Sequence, residues 1–187
     1  MSKFRLAHLG LALAALGFTA AAPIVGLAPA HAQTVSAQVG KPLQAAQALM
    51  KQGKHKDALA KLREADNVAG KSAHESYLIE RVRAAAASSA GDYATAAKAF
   101  ETLIASGKLS ASERSQFSEG LIGIYMRGGD LNKANEAIQR QLKNGDDPKL
   151  RAYLLQNYYK QGNIAALETE LRNAEKSGRM SEDMLGM

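Results

Sequence analysis

The chain predicts an all-α fold, an array of about four helix–turn–helix units behind an export signal. Three observations carry this expectation. Gly53, Gly91, Gly129 and Gly162 recur 38, 38 and 33 residues apart, a period in the range of stacked helical repeats. Behind each glycine a stripe of apolar residues with helical spacing begins, and nowhere do apolar and polar residues alternate over a strand's length. Ahead of the array stands a short basic and then apolar leader.

The leader comprises residues 1–32. Lys3 and Arg5 give it a positive start, Leu6 to Ala22 is almost wholly apolar, and Pro23 breaks the run. Ala30-His31-Ala32 has the small-x-small pattern that a signal peptidase reads, so cleavage after Ala32 is expected. An uncleaved anchor is the competing reading, but the run is Ala-rich and carries His8. There is no cysteine, which excludes both a lipidated N-terminus and a disulfide framework. A periplasmic or secreted protein follows, with no stable membrane insertion after cleavage.

Without Lys3 and Arg5, 22 basic and 18 acidic residues leave a net charge of +4. Charges of both signs are interleaved, without the dense Lys/Arg stripe of a nucleic-acid binder. No nucleic-acid partner is expected.

Residues 33–41 are polar and read as a flexible lead-in. Pro42 suits a first helical position, where its missing N–H is not needed. Helix pairs are expected at about 42–52 with 55–68, 73–89 with 93–106, 110–127 with 131–143, and 148–161 with 164–176. The second members are the clearer ones. Their stripes are Ala58, Leu59, Leu62 and Ala65; then Tyr93, Ala96, Ala97, Phe100 and Ile104. Leu131, Ala134, Ile138 and Leu142 form the third, and Ile164, Leu167, Leu171 and Ala174 the fourth. Each in-pair glycine supplies a left-handed residue at the helix end. Asp92, Asp130 and Asn163 follow three of them as caps, Asp147-Pro148 opens a helix, and Ser110 with Glu113 forms a capping box.

Residues 42–177 resemble a tetratricopeptide repeat array. The resemblance rests on Leu49, Ala87, Tyr125 and Tyr158 late in the first helices and on the turn glycines. It rests equally on the second-helix pairs Ala58/Leu62, Ala96/Phe100, Ala134/Ile138 and Leu167/Leu171. The family's early Trp is absent, and Ala46, Ala84, Ile122 and Leu155 replace the mid-helix Gly. These departures also fit a looser relative, a Sel1-like or HEAT-like helical hairpin array. Either resemblance implies a right-handed solenoid of stacked helix pairs. Beyond Ser177, residues 178–187 read either as a frayed tail or as the start of a fifth unit, from Ser181 through Met184 and Leu185.

Catalytic constellations are missing. There is no G-x-S-x-G, H-E-x-x-H or phosphate-binding glycine motif. After the leader only His55 and His74 remain, which do not make a metal site. His55 reads as a packing residue and His74 as a surface one. Asp146-Asp147 is explained by capping, and Glu168 and Glu170 lie on different helix faces. Lys51, Lys54, Lys56 and Lys61 read as a solvated turn diluted by Asp57 and Glu64. The chain is expected not to be an enzyme and to use no cofactor or metal.

In arrays of the resembled family the first helices line a concave groove. The residues this places there include Lys51, Arg81, Met126, Arg127, Gln156, Tyr159 and Lys160. Cations with adaptable apolar groups suit a protein or peptide partner bearing acidic or C-terminal carboxylate groups. The pattern lacks the Asn residues of carboxylate-clamp repeats. The expected function is a non-catalytic interaction scaffold of the bacterial periplasm or cell envelope. The alternative is a homo-oligomer that self-associates through its last helical face.

Overall fold

The computed structural model describes residues 34–178. Within them the chain forms α1 (Ala37–Lys51), α2 (His55–Asp66), α3 (Ala73–Ala90), α4 (Tyr93–Ala105), α5 (Ala111–Gly128), α6 (Leu131–Leu142), α7 (Pro148–Lys160) and α8 (Ile164–Lys176). No strand occurs among the described residues. The expected leader, with Ala30 and Ala32, and the tail from residue 179 onward lie outside the described residues.

Local chemistry accounts for the reversals. Gly53, Gly91, Gly129 and Gly162 have φ of 74°, 72°, 77° and 65°, a region in which a Cβ is strained. Asp92, Asp130 and Asn163 then accept the backbone N–H of Thr95, Lys133 and Ala166 at 3.1, 3.1 and 3.2 Å. Asp147 accepts from the N–H groups of Lys149 and Leu150, with Pro148 in the first turn of α7. The capping box at Ser110 and Glu113 is present, and Ser72 with Glu75 forms a second one on α3.

The first helix starts earlier than expected. It begins at Ala37, so residues 37–41 are helical rather than part of a flexible lead-in, and Pro42 lies inside the helix. Ser36 caps it by accepting the Val39 N–H at 3.4 Å. The cause is an apolar stripe that opens before the proline. Val39, Leu43 and Ala46 are spaced i, i+4, i+7 and buried to 0%, 6% and 0% exposure, which offsets the hydrogen bond that Pro42 cannot donate.

The helices pack mainly with their neighbours in sequence, and α1 also reaches α3. This is the pattern of a repeat-like helical array. Two main cores meet at α3. Leu62, Ile79 and Val82 join the α1 stripe in one core, while Ala84 and Ala87 belong to the other. The run Ala84–Ala87 is wholly buried because small side chains let helices approach α3 closely. The larger core centres on Phe100 and Phe117, whose ring centroids are 5.2 Å apart. Gly120 lets α5 lie on the Phe100 ring, since a Cβ there would stand 2.7 Å from Cε1.

The packing thins toward the C-terminal end. Tyr93 at the start of α4 lies against Gly128 at the end of α5. Ile164, the corresponding residue of α8, is 49% exposed, and of α8 only Ala174 is fully buried. Leu167 and Leu171 are half-buried.

Candidate binding face

The first helix of each pair turns its middle inward. Ala46, Ala84, Ile122 and Leu155, which stand where the resembled family has Gly, are exposed to only 0%, 0%, 2% and 0%. The residues expected on the opposite, accessible face are accessible. Lys51, Arg81, Arg127, Tyr159 and Lys160 are exposed, and Met126 and Gln156 are half-buried. Tyr159 stands out at 68% exposure. No hydrogen bond or ion pair joins these residues to one another among the described residues.

Arg81 is not a free cation. Its Nη1 donates to Glu113 Oε1 on α5 at 3.2 Å and to the Tyr77 hydroxyl at 3.3 Å. Its guanidinium also lies 5.7 Å from the centroids of both the Tyr77 and Phe117 rings, within cation–π range. Arg81 thus ties α3 to α5. Backbone and side-chain hydrogen bonds from Ser110 hold the Glu113 carboxyl below its ordinary range, with Arg81 adding to them. Lys51, Arg127 and Lys160 have no such partner among the described residues.

Three polar devices behind this face are hard to read from sequence. The Glu75 carboxylate accepts from the Ser72 and Ser36 backbone N–H groups, both at 2.8 Å, and so joins the caps of α1 and α3. Arg151 is 5% exposed and is clamped between Asp146 and Glu170. Asp146 is therefore more than a turn residue, and Glu170 is tied down. Between α6 and α7, Asn157 Nδ2 donates to Asn135 Oδ1 at 2.9 Å, and Asn135 Nδ2 donates to Gln161 Oε1 at 2.9 Å. The signal for the last two was polar residues interrupting apolar stripes: Arg151 beside Leu150 and Leu154, and Asn157 beside Tyr158.

Tyr125 and Tyr158 are buried in the larger core. Burial raises the pKa of the Tyr125 and Tyr158 hydroxyls, and Glu101, which accepts from Tyr125, raises the first further. Lys149 stands 5.9 Å over the Tyr153 ring at the start of α7, a contact that helical periodicity does not reveal.

The other candidates stay modest. Lys54 and Lys56 line a shallow cavity of about 340 Å³ with His55, Asp57 and Ser89, at the start of α2, which has no side-chain cap. Lys61 is paired with Glu64 at 2.7 Å. His55 is half-buried as expected, whereas His74 is half-buried rather than on the surface. Among the described residues no group of three or more His, Cys, Asp or Glu could hold a metal ion. No described helix is long and apolar enough to cross a membrane.

No protein-family model, curated protein or solved structure matches the chain. The functional reading therefore rests on the residues themselves.

Proposed function

We propose that this chain is a tetratricopeptide-like, right-handed array that serves as a non-catalytic interaction scaffold in the bacterial periplasm or cell envelope. Its partner is a protein or peptide laid along the exposed face of the first helices. The observation that carries this reading is the set Lys51, Arg127, Tyr159 and Lys160, exposed on three of the four first helices, α1, α5 and α7, with no internal partner among the described residues. Exposed charges contribute little to folding, and a 68% exposed Tyr contributes little to a core, so binding is a role that uses both.

Site-specific crosslinking tests it. A photo-crosslinking residue at position 159 or 127 should trap a partner in the periplasm of the native host, on a chain that begins at Gln33. The same residue at position 98, on the exposed side of α4, should trap none. Equal trapping at all three positions, or recovery of the uncleaved chain in membranes, would defeat the proposal. A second reading, self-assembly through α8, is favoured by the 49% exposure of Ile164. It expects trapped species that contain only this chain.

A further inference from the structure

Lys51, Arg127 and Lys160 share more than exposure. Each lies in the last turn of its first helix, two residues before a turn glycine: Gly53, Gly129 and Gly162. Each directly follows a large apolar residue: half-buried Met50, half-buried Met126 and exposed Tyr159. The same register on α3 holds Ser88 and Ser89, with the Ser88 hydroxyl turned back onto the Ala84 carbonyl at 2.6 Å. The helix dipole favours a cation near any helix end. It does not ask for one register in three units, nor for an apolar residue beside each cation. Arg81, by contrast, is spent on Glu113 and two aromatic rings.

From this repeated pair we infer that the ends of the first helices form a rail for an extended peptide segment in which acidic and apolar residues alternate. Carboxylates meet Lys51, Arg127 and Lys160; apolar side chains meet Met50, Met126 and Tyr159; Arg81 takes no part. The inference rests on the scaffold reading above and specifies its partner. Charge complementarity selects the acidic segment. Lys51, Arg127 and Lys160 have no carboxylate partner among the described residues, whereas Glu113 is already paired with Arg81. Exposed cations without carboxylate partners keep their full attraction for an incoming anion, and flexible Met adapts to varied apolar groups. The reach fits an extended chain. Packed helices lie roughly 8–10 Å apart, so four first helices side by side would span roughly 24–30 Å, the length of about seven to nine extended residues. Contact between α1 and α3 and the Arg81–Glu113 pair between α3 and α5 place these three helices beside one another, and α7 follows α5 through α6.

Fluorescence anisotropy with labelled synthetic peptides of about twelve residues tests the rail. One probe alternates Asp with Leu; a second replaces every Asp by Lys; a third replaces every Asp by Ser. With the chain starting at Gln33, the Asp probe should bind best, and its affinity should fall as salt shortens the Debye length from about 10 to 3 Å. The triple variant Lys51→Ala, Arg127→Ala, Lys160→Ala should lose about tenfold or more in affinity with an unchanged helical CD signal. Arg81→Ala should leave the Asp probe within about twofold, because Arg81 lies mid-helix on α3, away from the helix-end register, and already faces Glu113. Ser89→Lys, which adds a cation at the vacant register, should tighten binding.

Loss of affinity on Arg81→Ala equal to that of the triple variant would overturn the rail, as would a Lys probe that binds as well as the Asp probe. If the Ser or Lys probe binds best and depends on Tyr159, the scaffold reading survives and the acidic partner falls. If none of the three probes binds, the rail fails, and the crosslinking experiment then decides the scaffold reading separately.

Discussion

At the scale of one residue, Glu75 shows how a cap becomes a tertiary contact. A capping box needs only Ser72 and its helix, yet this carboxylate also accepts from Ser36, 39 residues earlier in the chain. Hydrogen bonds from Ser36, its side chain first, and from the Ser72 N–H lower the Glu75 pKa from 4.5 to about 2. A carboxyl whose folded pKa is depressed stabilises the fold fully above its unfolded value, and that contribution disappears as pH falls through the folded one. The docking of α1 should therefore weaken between pH 4.5 and about 2. Glu75→Gln keeps an acceptor but not the charge. The variant should melt lower than the parent at neutral pH, and the gap should close as pH falls through that window. Thermal melts at stepped pH measure it; a gap that stays constant would show that the charge on Glu75 is not what holds α1.

At the scale of the element, boundaries were legible and polar cores were not. The turn glycines, the caps Asp92, Asp130, Asn163 and Asp147, and the Ser110 box all follow from short-range rules in which a residue answers to its own neighbours. Pro42 misled because a local rule about N–H groups competed with burial of Val39, a tertiary term. The exposed residues of the candidate face were readable from helical register, but the neutralisation of Arg81 was not. Its partner Glu113 is 32 residues away on another helix, and no periodicity carries that information. Arg151 belongs to the same class. It docks α8 through Glu170 and the preceding turn through Asp146, where α8 has little apolar burial of its own. Arg151 is the buried member of this cluster, and removing it cuts the ionic tie between α7 and Glu170 of α8. Arg151→Ala should loosen α7 and α8 selectively. Hydrogen exchange in α8 should then accelerate while amides in α4 and α5 keep their parent rates; a uniform acceleration would mean that Arg151 supports the whole array.

At the scale of the whole molecule, the fold is a chain of nearest-neighbour interfaces of unequal strength. Such an array opens from the end whose last interface is weakest, because losing a terminal unit sacrifices one interface rather than two. The two ends differ. At the N-terminal end α1 packs on both α2 and α3, carries the fully buried Val39 and Ala46, and is joined to α3 through Ser36 and Glu75. At the C-terminal end of the described residues α8 buries Ala174 fully, leaves Leu167 and Leu171 half-covered, and depends on the Arg151 clamp. The middle contains the aromatic pair Phe100 and Phe117 with Leu103, Ile122, Tyr125 and Ile138. Native-state hydrogen exchange of the chain from Gln33 should therefore be graded: α8 fastest, α7 next, α1 and α2 slower, and α3 to α5 slowest. A small addition of urea should steepen the contrast, since openings that expose more surface respond more strongly to denaturant. If all eight described helices exchange at one rate set by global unfolding, the interfaces are coupled into a single cooperative unit and the nearest-neighbour description is wrong. If α1 opens before α8, the Ser36–Glu75 link does not hold the first unit. The graded outcome would also bear on binding. Tyr159 and Lys160 lie on α7 beside the loosest unit, so a peptide that engages them should slow exchange in α7 and α8 more than anywhere else.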